Sequence, residues 1–563
     1  MHKISRAIRA GHAAFQRGAL ADARRHLQSV DHPKAIHLLG LVEKNDGNLQ
    51  SATALLKRAA SLDPQDAEIA NNLALVAQSG GHLDLALSEF RRAIKIRPSF
   101  HQAMSGLGRV LIDLERWPEA LSVYEQLSKS APGNVVVRYG RATALLGLGR
   151  TEQAESQFDA LLQEGNEKPE IRYMRARSRL ELGKTGPAID DLKIAHAASP
   201  DVLTLKALAS TYWMIGDRQS FDEILEQSAG VPQLAVTVAE VLRQSGAPAK
   251  ALAALHAAWA TNERPPDSWS VEATAYMDLK DAPKAEAVAR EGLVFNPDLG
   301  LIKRDLITSL LMQGKASEAM PYIDTMRKAE PNGQQWIAYQ ASALRLLGSE
   351  RYAGLVDLER FVRNYQLPTP EGFDSLADFN SALLRTLESW HQYKTHPLDQ
   401  SLRDGSQTPR DLTSIDNPVI KAFYRALDGP IRQYMTTVGH GADHPLTARN
   451  TGNYKIAGAW SVKLYGGGRH VNHVHPEGWI SSAYYVSVPE ETKTASNKAG
   501  WIKFGEPPYD TLPPSPPEKW IQPEAGMLVL FPSFVWHGTE PIHDGSVRVT
   551  APFDVVPVSD QAN

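Results

Sequence analysis

The stretch RHVNHVHPEGW, Arg469 to Trp479, sets His470, His473 and His475 within six residues of a chain that has 18 histidines in 563. Imidazole is the commonest side-chain ligand for a metal ion. His473 and His475 stand two apart, at what the downstream alternation reads as the start of a strand, so both side chains leave one face. A metal needs a third ligand from elsewhere, and His537, at the end of GMLVLFPSFVWHG, is the best placed. Eleven residues further on, SVRVTAPF puts Arg548 on the following strand. A guanidinium buried near a metal is costly by itself, but it grips a carboxylate bidentately. The pattern asks for a metal held by imidazoles and an organic acid held by the arginine. A second ligand set stays open, in which His475 and Glu477 form a His-x-Glu pair with His473 nearby.

Other residues near these read more plainly. His470 and His543, in turns beside glycine, are expected to be solvated loop histidines, and His440 and His444 in GHGADHPL likewise belong to a loop. Trp479, Trp501 and Trp536 read as barrel core, and Asn472 as a residue that can line the same pocket. The proline-rich EPPYDTLPPSPP reads as a loop over the barrel mouth, either a lid or a rigid spacer.

The elements that must position these residues change character along the chain. From about residue 454 the apolar period is 2: YKIAGAWSVKLY alternates, GGG turns, and WISSAYYVSVP, GWIKFGEP, GMLVLFPSFVW and VRVTAPFDVVPV are short strands bounded by Gly and Pro. Many such strands indicate a sandwich or jelly-roll barrel. Upstream, RNYQLPTPEGFDSLADF marks a boundary near 364–372. NSALLRTLESWHQY and NPVIKAFYRALDGPIRQYMTTV read as helices, with KTHPLDQSLRDGSQTPRDL as a loop between them.

The first 350 residues repeat. Ala52, Ala86, Ala120, Ala154 and Ala188 are each 34 apart, and four residues after each comes Leu56, Phe90, Tyr124, Phe158 or Leu192. Pro64, Pro98 and Pro132 close helices in step, and Gly40 and Gly108 hold equivalent places upstream. Each unit reads as two amphipathic helices with small residues where they cross. The spacing slips between 201 and 265, where Asp222 stands in place of the alanine, and returns with Ala285 and Ala319. About nine or ten units are expected. This pattern resembles the tetratricopeptide repeat, most strongly over 35–200. The resemblance implies a concave face that holds a protein or peptide, against the alternative of a rigid spacer or an oligomerisation surface.

Residues 370–558, with HVHPEGWISSAYYVSVP, GWIKFGEPP and PEAGMLVLFPSFVWHGTEPIHDGSVRVTAPFDV, resemble the bacterial 2-oxoglutarate-dependent oxygenases often fused to tetratricopeptide repeats. The resemblance implies Fe(II) held by His473, His475 and His537, and 2-oxoglutarate held by Arg548 with Tyr485 as a hydrogen-bond donor. Ascorbate is implied as an accessory. The commoner motif of such oxygenases is His-x-Asp, and no Asp stands two residues after any of these histidines. Three neutral imidazoles leave an iron with more net positive charge than a set containing a carboxylate.

The expected architecture is multidomain: an all-α tetratricopeptide solenoid over 1–350, a linker and small helical cap over 351–450, and a mostly-β double-stranded β-helix, or jelly roll, over 451–563. The expected activity is hydroxylation of a protein or peptide recruited by the solenoid. Two rivals are an interaction or scaffold protein whose barrel senses or is inactive, and a cupin-like metalloenzyme that uses no 2-oxoglutarate. A chain of this length splits into two to four domains. Its 42% apolar and 22% charged composition is that of an ordinary globular protein. A net charge of −4 and the lack of any long Lys/Arg run point away from nucleic acid or an anionic membrane as partner. With no cysteine, disulfides, thiol catalysis and zinc ribbons are excluded. Neither a signal-type leader nor an apolar run of about 18 residues is present, so a cytoplasmic location is expected.

Overall fold

The computed structural model describes residues 2–260, 264–494, 496–543 and 545–558, and the chain divides into two compact units, Met1–Leu182 and Gly183–Asn563. The first unit is a succession of antiparallel helix pairs, such as Ala67–Ser79 with Leu83–Ile96 and His101–Asp113 with Trp117–Ser130. Side-chain caps start some of these helices: Asp66 Oδ1 accepts from the amides of Glu68 and Ile69, and Asn134 does the same for Val136 and Val137. The alanines of the 34-residue period are fully buried, because helices crossing this closely leave room only for a methyl group. Gly140 shows the limit of that spacing, since a Cβ there would sit 2.2 Å from the Tyr124 ring.

Helix pairs continue into the second unit from Thr185–Ala198 to Ala316–Ala329, followed by Gln334–Leu346. The stretch where the period slips is still helical. Helix Arg218–Ala229 turns Asp222 to solvent and buries Phe221 and Leu225 in its place. A one-residue change in register kept the apolar face and erased the sequence period.

The β part of this unit contains β1 (Arg363–Gln366), β2 (Leu402–Gln407), β3 (Tyr454–Ala459), β4 (Val462–His470), β5 (Ile480–Ser487), β6 (Ile502–Phe504), β7 (Lys519–Ile521), β8 (Met527–Pro532), β9 (His537–Thr539), β10 (Arg548–Thr550) and β11 (Phe553–Pro557). All their pairings are antiparallel. The larger sheet runs β1-β8-β5-β10-β4-β2, with β11 joining β3 to β5, and a smaller sheet runs β7-β6-β9. A helical solenoid followed by an antiparallel two-sheet β domain is the architecture expected from the sequence. Helices Leu376–Glu388 and Pro418–Val438 cover one face of the larger sheet. Phe379, Leu383 and Phe423 pack there with Tyr484, whose hydroxyl donates to Asn380 Oδ1 at 2.6 Å.

Three local expectations are corrected. Gly466–Gly468 are not a turn. They lie within β4, with Gly467 at φ +81° opposite a register shift in β2 between Arg403 and Gly405, so the glycines form a bulge. The segment KTHPLDQSLRDGSQTPRDL, read as a loop, contains β2. The proline-rich segment is not a free spacer: Arg345 Nη1 and Nη2 donate to Gly505 O and Pro516 O at 2.9 and 2.8 Å, which straps it onto helix Gln334–Leu346. Among the described residues no helix is long and apolar enough to cross a membrane.

Candidate metal and cosubstrate site

Backbone pairing brings the three histidines together. His473 N donates to His537 O at 2.9 Å and His537 N donates to His473 O at 3.1 Å, an antiparallel bridge that ties the segment after β4 to the first residue of β9. His475 N donates to Ser533 O at 3.0 Å in the turn between β8 and β9. Neither His473 nor His475 opens a strand as expected, since β5 begins only at Ile480. The segment is nevertheless extended at the bridge, which lets residues two apart share a side.

The rings converge. Centroids of His473 and His537 are 4.2 Å apart, those of His473 and His475 and of His475 and His537 both 5.1 Å. One nitrogen from each ring lies within 4.8 Å of the others, and Nε2 of His473 and of His475 are 3.2 Å apart. Two nitrogens bound at right angles to an ion about 2.1 Å away would be separated by about 3.0 Å. Each Nδ1 is engaged: His473 with Val471 O at 2.9 Å, His537 with Val535 O at 3.0 Å, and His475 with both carboxylate oxygens of Asp554 at 2.7 Å. A protonated Nδ1 held in this way leaves the Nε2 lone pair for a metal. Burial, reinforced by the neighbouring imidazoles, lowers the basicity of His537 well below the ordinary range and that of His473 to about 3. Both rings are neutral at pH 7, the state in which imidazole ligates. Glu477 lies on the exposed rim of the cavity, outside the converging group.

Asp554 was not picked out from the sequence. It sits in β11, which pairs with β5, and Ser481 Oγ donates to its Oδ1 at 2.7 Å, fixing the carboxylate against His475. The available signal was an acid embedded in the apolar run APFDVV. His470 also departs from expectation. It is no solvated loop residue: it ends β4 and lines the metal-site cavity, with Nδ1 3.0 Å from Ser401 Oγ, which in turn is 3.3 Å from His473 Nε2. His543 is exposed as expected, beside Glu491 and Asn497. Trp479 is core. Trp536 instead leaves the barrel to pack among helix residues and donates to Ser342 Oγ at 2.9 Å, and Trp501 is half-buried.

Arg548 lies in β10 opposite Leu464, 1% exposed, and lines the same cavity of about 540 Å³ as the three histidines. Its Nη1 donates to Gly500 O at 2.6 Å, and its Nε has no partner among the described residues. Nor does any carboxylate of the described residues pair with it. Tyr485 in β5 stands beside it, 5.8 Å from guanidinium to ring centroid, with its hydroxyl unpartnered among the described residues. Burial raises that phenol to about 12, so it stays a donor. A buried cation without an anion carries a large desolvation penalty. A bound carboxylate would satisfy the guanidinium and accept from the phenol. The donor set lining this cavity thus fits both a metal and an organic acid.

Fold and site together define an antiparallel β domain whose histidine triad can hold a metal, following helical repeats in the chain. Residues 458–554 match the family model described as "Putative 2OG-Fe(II) oxygenase", and residues 37–99, 72–135 and 111–178 match tetratricopeptide-repeat models. By these matches the N-terminal region is similar to tetratricopeptide repeats and residues 458–554 to the family described as "Putative 2OG-Fe(II) oxygenase". Two of the similar solved structures are described as tetratricopeptide-repeat proteins. A thermophilic TPR protein of Thermus thermophilus is 23% identical over 32% of this chain and 100% of its own, with a TM-score of 0.28. A tetratricopeptide repeat protein from Parabacteroides merdae is 15% identical over 55% of this chain and 100% of its own, with a TM-score of 0.29. No curated protein matches the chain.

Proposed function

We propose that this protein is a 2-oxoglutarate- and Fe(II)-dependent dioxygenase that hydroxylates a protein or peptide side chain. The observation that carries the reading is the presence, in one cavity, of three converging imidazoles and a buried guanidinium lacking an anion among the described residues. His473, His475 and His537 would hold Fe(II) on one side and leave its other positions open, as oxygenase sites do. Arg548 and Tyr485 would hold the far carboxylate of 2-oxoglutarate. When bound, these groups supply the redox chemistry: 2-oxoglutarate and O2 give succinate and CO2, and the second oxygen atom enters a C–H bond of the substrate.

The chain's own contribution is placement. The paired backbones of His473 and His537 fix two imidazoles, and Asp554 fixes the third. Asp554 also answers the charge question raised by the missing His-x-Asp: it returns a carboxylate to the site one bond further out, through His475 Nδ1, where it raises that ring's donor strength. Phe531 and Phe504 close the floor, with ring centroids 4.5 and 6.5 Å from His537, and keep bulk water from that side. No observation supports the expected role of ascorbate. The repeats support a macromolecular substrate because such repeats mediate protein–protein contact.

The test is anaerobic titration of the full chain with Fe(II) and then 2-oxoglutarate, followed by the visible charge-transfer band of the chelate. Arg548→Ala is expected to leave Fe(II) binding in place and weaken 2-oxoglutarate by at least about a hundredfold, the scale of 2–3 kcal/mol for a lost charge-assisted pair. Normal turnover of Arg548→Ala at limiting 2-oxoglutarate would remove the cosubstrate assignment.

A further inference from the structure

A second cavity, of about 450 Å³, opens beside the metal pocket and shares His473, Val474 and Pro476 with it. Its far wall is made by alternate helices of the second unit, Ala235–Gln244, Pro266–Asp278, Gly300–Met312 and Gln334–Leu346, and its roof by Pro508 and Tyr509 of the proline-rich strap. The repeats nearest the barrel therefore form a side of the space that leads to the histidines.

The chemistry of this wall is specific. Its charged residues are already paired within the chain: Arg243 with Asp278 at 3.0 Å, Arg304 with Asp305 at 2.8 Å, and Lys280 with Asp510 at 2.8 Å. No surplus of cations remains there to meet a phosphate backbone, which nucleic acid would require. What this wall does offer is the half-exposed Gln335 side chain, whose amide carries both a donor and an acceptor. A peptide backbone carries one donor and one acceptor per residue and matches such a mixture. Met277 and Met312 add flexible apolar surface that adapts to varied side chains.

We propose that the substrate is a polypeptide segment that enters the metal pocket along this channel, its backbone paired by Gln335, with no net charge required where it crosses the wall. The inference rests on the oxygenase reading above and adds the place of binding. In it the last repeats are part of the active site and not only a remote tether.

The experiment uses the full chain with Fe(II), 2-oxoglutarate and O2, and as probe a degenerate pool of acetylated, amidated dodecapeptides. Succinate release and the gain of one oxygen atom by peptides are measured, alongside peptide-free 2-oxoglutarate consumption and anaerobic 2-oxoglutarate affinity. Gln335→Ala, which removes one amide from a partly exposed position, is expected to raise the KM for the pool about tenfold, the scale of one lost hydrogen bond. Met277→Trp and Met312→Trp, which narrow the channel, are expected to abolish peptide oxidation while 2-oxoglutarate affinity and peptide-free consumption stay within about twofold. Peptide oxidation at the wild-type rate in Gln335→Ala and both Trp variants overturns the channel and leaves the oxygenase reading standing. A wild-type chain that binds 2-oxoglutarate but oxidises no peptide overturns the peptide substrate. Oxidation of oligothymidylate in place of the pool overturns the substrate class. Absence of any 2-oxoglutarate binding in the wild type overturns the underlying reading.

Discussion

The repeats of the first unit and the barrel of the second are held together by opposite kinds of contact. In the first unit the partners are close in sequence and recur: Phe90 fills the space beside Gly106, and Tyr124 fills the spaces beside Gly108 and Gly140. In the barrel the decisive contacts join distant residues once only: His475 with Asp554, His537 with His473, and Trp536 with Ser342 of a helix. A repeat spreads its stability over many equivalent small contacts. A site concentrates its function in a few that have no substitute.

Breaking one distant contact should therefore cost function out of proportion to stability. Asp554→Asn keeps a hydrogen-bond acceptor but removes the charge facing His475. We expect Fe(II) affinity to fall about 10- to 100-fold, as for other partners of metal-bound histidines, with a change in melting temperature of at most a few degrees. Equilibrium titration with Fe(II) or Co(II) checks this, and unchanged affinity would leave Asp554 a packing residue. Ser481→Ala, one hydrogen bond further out, should give a smaller loss in the same direction.

Breaking a repeat contact should do the reverse. Gly140→Val drives a branched side chain into the Tyr124 ring and should destabilise the first unit by about 1–3 kcal/mol, with Fe(II) and 2-oxoglutarate affinity of the full chain unchanged. Calorimetry of the variant, read beside a metal titration, separates the two. A loss of metal affinity in Gly140→Val would show that the units are coupled.

Acid acts on the second unit through its buried imidazoles. His391 lies between Ser406 Oγ and Ser461 Oγ at 2.9 and 3.0 Å, and burial, with Lys463 nearby, lowers it to about 4; burial likewise lowers His396 to about 4. Unfolded, each would take up a proton near pH 6.5. The unfolded chain thus binds more protons between these values, so stability is full above about pH 6.5 and declines as the pH falls toward 4. After discounting for partial exposure we expect about 1–2 kcal/mol for each. His391→Gln, which keeps hydrogen-bonding capacity, should flatten its share of the decline in thermal melts from pH 7 to 4.5.

The strap, the bulge and the sheet edges show where reading by pattern stops. Period 34 revealed the helix pairs because each unit repeats its own local contacts, and it failed at Asp222 because a register change there preserves burial while breaking the spacing. Strands β4, β5, β8 and β11 were legible from alternation. β1 and β2 were not: RNYQ and LRDGSQ are polar and short, and only pairing with β8 and β4 makes them strands. The three converging histidines and Arg548 were legible as types at a spacing, whereas Asp554 and His470 acquire meaning only from their neighbours.

Composition and order along the chain settled which residues could take part: no thiols, three imidazoles in two segments, one arginine after them, and a helical period that ends before a strand period begins. Tertiary pairing decided which imidazole nitrogens face one point, that a carboxylate stands behind His475, and that the last helices line a cavity beside the histidines. The physical reason is range. Side-chain type and helical period are properties of a few consecutive residues, while the position of a lone pair depends on strand registers set by residues nearly 80 positions away.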